Sequence, residues 1–403
     1  MKKSKFVRSA LFVAAPFAAS GALAQSSVTL YGIVDTGLEW QNSSTSVGST
    51  ANGHSAVKVS NGVWAGSRFG LKGSEDLGGG TKAVFQLEEG FNSATGAQSV
   101  SGLAFNRQAF VGLSDARYGT LTAGRQYTPY TQLLTPWSPT LWLTGAFGAH
   151  PGDIDSFDTT YRVNNSLAYT SPQWRGFTVG GLYAFGGVPG SVNRGATWSV
   201  AVQYRNGPFG VGAGFQRVNN ATEGGGAWGA NSTLNNNGTQ PSVSAINNGY
   251  QTAAAQQRFA VAGGWKFNAA WDLSVTYSNV QYIPGSGSIF ANEAIFNTAG
   301  AVLHWKPVTV LDLAAGYSYT RATKSNGIRN AAQYQQFNLS QYYALSSRTG
   351  LYAVQAFQRA NGNTLSATGG VIAATASIGD GFSSTPSSSR SQVAVGAGLI
   401  HRF

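Results

Sequence analysis

The chain has 403 residues, a formal net charge of +11, 42% hydrophobic and 10% charged side chains, 53 glycines and no cysteine. The absence of cysteine excludes disulfides and thiol chemistry, so stability must come from hydrogen bonding and burial. The basic residues are scattered singly, with no Lys/Arg-rich block, which argues against a nucleic-acid partner; beyond the N-terminal segment no stretch approaches the about 18 consecutive apolar residues of a membrane-crossing helix.

Residues 1–24 read as a secretory signal peptide. Lys2, Lys3, Lys5 and Arg8 form a basic start, 10–19 is apolar, and Ala22-Leu23-Ala24 is a small-x-small cleavage site. The short apolar run and Pro16 argue against an anchor. Cleavage after Ala24 removes four basic residues and leaves 25–403 as one domain without a composition break.

From there the chain alternates with a period of two. Successive strand side chains point to opposite faces. In 27–39, Val28, Leu30, Val34 and Leu38 share one face; Tyr31, Ile33, Asp35 and Glu39 share the other. A polar loop precedes a strand over 63–73, where Phe69 and Leu71 oppose Arg68 and Lys72. Further strands follow at 82–91, 105–115 and 119–127. The rhythm then breaks over 128–165, which carries Pro129, Pro136, Pro139 and Pro151, is rich in Trp and Leu, and becomes acidic at Asp153, Asp155 and Asp158. A loop this long is uncommon in a compact domain and is usually functional.

Strands resume at 166–172 and 175–185. The clearest hairpin spans 197–216: Trp198, Val200, Val202 and Tyr204 alternate with Thr197, Ser199, Ala201 and Gln203, and Asn206-Gly207 makes the turn before Phe209, Val211, Ala213 and Phe215. After a polar loop at 219–254 come strands at 257–267, 271–279, 298–306, 311–320, 335–346 and 349–358. A last polar loop at 361–389 leads to 392–403, where Val393, Val395, Leu399, His401 and Phe403 form one row.

This gives about sixteen strands of about ten residues joined by alternately short and long connections, the pattern of an all-β transmembrane antiparallel barrel. A soluble sandwich also alternates, but these strands are longer than the usual five or six residues, and aromatics cluster at strand ends, where the bilayer interface favours them. The main alternatives are a barrel enzyme and a secreted β-sandwich adhesin. His54, His150, His304 and His401 sit in no nucleophile–base motif, which disfavours catalysis.

Several separated segments, SSVTLYGIVDTG, SRFGLKGSEDLGGGTKAVFQLE, NRQAFVGLSDARYGTLTAGRQYTPY, LSSRTGLYAV and the terminal GAGLIHRF, resemble the general trimeric porins of Gram-negative bacteria, of the betaproteobacterial type. The resemblance covers essentially all of 25–403. It implies a sixteen-stranded outer-membrane barrel, assembled as a homotrimer, that passes small hydrophilic solutes and ions by passive diffusion, with no cofactor. It implies that 128–165 folds into the lumen as the constriction loop. The arginines of SRFG, AGRQY and YRVNN, here Arg68, Arg125 and Arg162, resemble the family's basic cluster facing that loop, and Asp153, Asp155 and Asp158 correspond to its acids. A divalent cation held by His150 and these carboxylates is the less favoured reading. Ile33 and Ile400 stand where relatives carry basic residues, which reduces inward positive charge. The balance implies a modest anion preference. By the same resemblance, Phe403 is part of the signal read by the barrel-insertion machinery that delivers the chain into outer-membrane lipid.

Overall fold

The structure is a computed structural model that describes residues 26–158, 161–229, 232–233, 243–380 and 385–403; the predicted signal peptide lies outside the described residues. The alternating segments form strands β1 Ser27–Ser44, β2 His54–Asn61, β3 Arg68–Gly78, β4 Thr81–Gly90, β5 Gln108–Asp115, β6 Gly119–Tyr127, β7 Arg162–Thr170 and β8 Phe177–Ala184. They continue as β9 Thr197–Asn206, β10 Phe209–Asn219, β11 Ala255–Lys266, β12 Trp271–Ile283, β13 Ala294–Val308, β14 Leu311–Ala322, β15 Gln333–Ala344 and β16 Thr349–Asn361. Two short ribbons, β17 Asn363–Leu365 with β18 Val371–Ala373 and β19 Ser377–Ile378 with β20 Thr385–Pro386, precede β21 Ser391–Arg402.

Each wall strand pairs antiparallel with its neighbours, and β1 closes the sheet onto β21, from Ile33 opposite Arg402 to Gln41 opposite Ala394. Strand β1 pairs with β2 through Thr36–Ser44 and with β3 through Ser27–Ile33, so β2 and β3 are two pieces of one stave. The seventeen-stranded sheet is therefore a closed barrel of sixteen staves. Closure leaves no unpaired edge, the condition for a sheet to cross a bilayer.

The apolar rows face outward. Val200 and Val202 are 50% and 38% exposed, whereas Thr197, Ser199, Ala201 and Gln203 between them are buried. In β1, Val28, Leu30, Val34 and Leu38 are exposed, and Asp35 and Glu39 are buried inside. This inverts the rule for water-soluble proteins and fits a wall whose outer solvent is lipid. Connections at one end are tight, as at 79–80, 207–208 and 309–310; those at the other are long, as at 128–161, 220–254 and 362–390.

The sequence reading differs from the structure at several points, of which three bear on the site. Residues 54–61 form β2, although they read as loop. The predicted strand over 63–73 begins only at Arg68, because 62–67 leaves the sheet. The loop after β6 ends at Arg162, and it holds short helices α1 Pro129–Leu134, α2 Thr140–Leu143 and α3 Gly145–Gly148.

Candidate functional site: the constriction loop and the eyelet

The segment 128–161 turns into the barrel at Thr128, whose Oγ1 donates to Gln216 Oε1 on the inner face of β10 at 2.6 Å. It then lies along the wall. Tyr130, Leu133, Leu134 and Trp137 pack on Ala201, Ala260 and Ala262. Leu143 meets Val302 and Ala314, and Phe147 reaches Val354 and Ala394. The loop thus lines the inner wall from β8 through β16 to β21. Small inward residues make this possible: a Cβ on Gly210 would overlap the Trp137 ring, and one on Gly316 would overlap Leu143.

Polar anchors fix its position. Asp155, with no exposed surface, faces His150 Nδ1 at 2.6 Å and accepts from Ser278 Oγ of β12 at 2.6 Å. Burial pushes the Asp155 carboxyl up, but the adjacent His150 ring and the Ser278 hydroxyl outweigh it and hold the group below the ordinary carboxylate range. Arg258 of β11, also fully buried, donates to the Ile154 carbonyl at 3.2 Å and to Tyr161 Oη at 2.9 Å. Trp142 stacks on His304 with ring centroids 3.5 Å apart and planes within 5°. Both His304 nitrogens face carboxylates, Nδ1 to Asp272 at 2.8 Å and Nε2 to Asp312 at 2.9 Å.

Because the loop covers β8 to β16 and reaches β21, open space remains along β1 to β7. A cavity of about 240 Å³ there is lined by Trp64, Arg68, Arg107, Thr140, Asp158, Arg162 and Asp380, among others. Next to the short turns a second cavity, of about 510 Å³, is lined by Lys72, Gln86, Gln126 and, from the loop, Gln132. In the narrower cavity, Arg107 Nη2 and Arg162 Nη2 donate to Tyr127 Oη at 3.0 and 2.8 Å. Arg107 Nε bonds Glu88 Oε1 at 2.6 Å, and Arg68 donates to the Gly66 carbonyl at 3.4 Å. Across from these guanidiniums, Asp158 lies beside Asp380 of the last long loop, and both line the cavity. Burial, then the charge and hydrogen bond of Asp380, push the Asp158 carboxyl well above its ordinary range. Two adjacent carboxyls resist joint ionisation.

The structure therefore brings together Arg68, Arg162 and Asp158 from the predicted set. Arg125 is not among the cavity's lining residues: it shares strand parity with outward Leu121 and braces the ends of neighbouring strands by donating to Asn106 O at 2.7 Å and Asn164 Oδ1 at 2.6 Å. Asp155 carries no solvent-accessible surface, so in place of the predicted lumenal role it anchors the loop. Asp153, 1% exposed, accepts the Asp158 backbone N–H at 3.0 Å and shapes the loop beneath the eyelet. Ile33 and Ile400 do face inward, in the apolar cluster beside Trp64 and Tyr342. Arg107 and Asp380 escaped the sequence reading. By alternation from outward Val111, Arg107 belongs to the lipid face, but it lies before β5 begins; Asp380 sits in a polar loop without periodicity.

A closed barrel with a lipid-facing exterior, a polar interior and an inward constriction loop defines an outer-membrane diffusion channel. The sequence profile of Gram-negative porins matches residues 10–363, and the chain belongs to that family. It is 31% identical over 371 residues to an outer membrane porin protein of Bordetella pertussis, covering 85% of this chain and 91% of that one. It is 37% identical over 238 residues to outer membrane porin protein 32 of Delftia acidovorans, covering 56% and 62%. Its fold superposes on the anion-selective porin from Comamonas acidovorans with a TM-score of 0.67 at 25% identity, covering 94% of this chain and all of that one. The protein is an outer-membrane porin, a channel for passive diffusion.

Proposed function

We propose that this porin is an anion-preferring channel whose eyelet field is set by Arg68, Arg107 and Arg162 against the Asp158–Asp380 pair. The observation that carries the reading is the convergence of three guanidiniums on one cavity, one of them, Arg107, ion-paired to Glu88 behind it. Charges in a narrow, low-dielectric passage focus their field and act more strongly than on an open surface. Burial beside Asp380 raises the Asp158 carboxyl and so weakens the acidic side relative to the guanidiniums. The solved porin described as anion-selective supports the sign.

The remaining assignments belong to the same proposal. The segment 1–24 is removed on export, the barrel assembles as a homotrimer in outer-membrane lipid, and the exposed terminal Phe403 contributes to recognition by the barrel-insertion machinery. Small hydrophilic solutes and ions cross without reaction or cofactor. The test is conductance of the purified protein in a planar bilayer. Discrete ohmic steps are expected, with a zero-current potential of anion-selective sign in a potassium chloride gradient. A cation-selective sign would overturn the field assignment while leaving the channel standing.

A further inference from the structure

The break in the second stave needs a physical account. Six residues, 62–67, leave the sheet between β2 and β3, opposite Val34 and Asp35 of β1. They do not hang free in the lumen. Asp35 Oδ2 accepts the backbone N–H groups of Trp64 and Ala65 at 2.8 and 2.6 Å, and its Oδ1 accepts Tyr352 Oη of β16 at 2.6 Å. The Asp35 backbone adds a bond from its N–H to Ser67 Oγ at 3.0 Å, and its carbonyl accepts Gly62 N–H at 3.1 Å and Ser93 Oγ at 2.8 Å. A fully buried carboxylate thus collects the otherwise unpaired donors of an irregular segment, as buried backbone groups require.

The segment held this way meets the constriction loop. Val63 packs with Ala146 and Phe147 at the loop's far end. Trp64 leans on Tyr342 and Tyr352, with ring centroids 5.0 and 5.6 Å apart, and it lines the cavity that Arg68, Arg107 and Arg162 also line. A charged row alone does not need an aromatic side chain beside it in a water-filled channel. A cationic row beside an aromatic surface complements a solute with a carboxylate at one end and a flat ring at the other.

We infer that residues 62–67 are a second inward jaw of the eyelet, pinned by Asp35, and that Trp64 makes this passage a transient binding site for aromatic carboxylates. The inference rests on the proposed anion preference for its charge end, whereas the jaw itself is steric. Asp35 is a positioning residue, because it acts through the backbone of Trp64 and Ala65.

The experiment compares wild type, Trp64→Ala, Trp64→Phe and Asp35→Asn in planar bilayers, each first shown to shift on a gel between unheated and boiled samples. In potassium chloride alone, W64A is expected to conduct about 1.5-fold more than wild type, because a ring leaves the narrowest section. Benzoate is expected to reduce chloride current through wild type at concentrations about two- to tenfold below those of acetate, the range an aromatic contact supplies. That difference should vanish in W64A, persist in W64F, and shrink in D35N together with a rise in conductance. Unchanged chloride conductance in folded W64A would overturn the jaw, and equal block by benzoate and acetate in wild type would overturn the aromatic site. Failure of the anion reading is separately visible as a cation-selective zero-current potential of wild type, whereas the conductance rise in W64A is read whichever ion carries the current.

Discussion

At the scale of single residues, the eyelet is a contest between fixed and titratable charge. Its arginines remain charged throughout the accessible pH range, but Asp158 does not. The Asp158 carboxyl is raised above its unfolded value, first by burial and then by Asp380. Protonation of Asp158 is therefore favoured in the folded state: the stability it brings is fully present below the ordinary carboxyl pKa of about 3.9 and is lost as pH rises through the raised value. Loss of the proton adds one negative charge opposite the arginines. We expect the anion preference to weaken as pH rises through that value, and Asp158→Asn to abolish the dependence. A zero-current potential in the D158N variant that follows pH as wild type does would refute the pair. Arg125 provides a control, since it braces β5 to β7 outside the eyelet: Arg125→Gln should alter selectivity far less than a change at Arg68 or Arg107.

At the scale of elements, the constriction loop is rigid because the wall is shaped for it. The inward glycines of β10 and β14 leave room where Trp137 and Leu143 dock, and the buried Arg258, Asp155 and His304 contacts lock the loop laterally. Restoring side chains there should displace the loop without opening the barrel. Gly316→Val is expected to lower single-channel conductance, as Leu143 and its helix are pushed toward the lumen, while resistance to unfolding on a gel persists. Equal conductance would mean that the loop does not rest on this glycine. The sequence makes the loop visible through its prolines and its lost alternation, yet hides what holds it. Arg258 reads as one more polar rung of β11, and His304 as a polar residue between Leu303 and Trp305, because period-two alternation assigns a face and not a partner. The same limit explains Arg107. Parity is informative only within a strand, and Arg107 precedes one. Residues 62–67 fail for the related reason that Val63 and Phe69 sustain an apparent rhythm across a break whose cause, the Asp35 carboxylate, lies about thirty residues earlier in the chain.

At the scale of the whole molecule, architecture was legible because lipid imposes a repeated constraint on every stave. Rows such as Val28–Leu30 and Val200–Val202 are exposed in the structure as the alternation requires, and the short and long connections segregate to opposite ends. A closed hydrogen-bonded ladder should resist unfolding until boiled, so unheated protein in detergent should migrate differently from boiled protein; identical migration would count against closure. The selectivity proposed here, by contrast, rests on a handful of side chains brought together from β3, β7, the 91–107 connection and two long loops, which no local pattern could assemble. The most direct test of that assembly is the zero-current potential of the Arg68→Glu, Arg107→Glu double variant in a potassium chloride gradient. Two guanidiniums replaced by carboxylates should move the potential from anion- toward cation-selective sign, with the larger shift in dilute salt, where screening reaches about 10 Å or more at and below 0.1 M. An unchanged potential, with conductance and gel shift intact, would show that these arginines do not set the field of the pore.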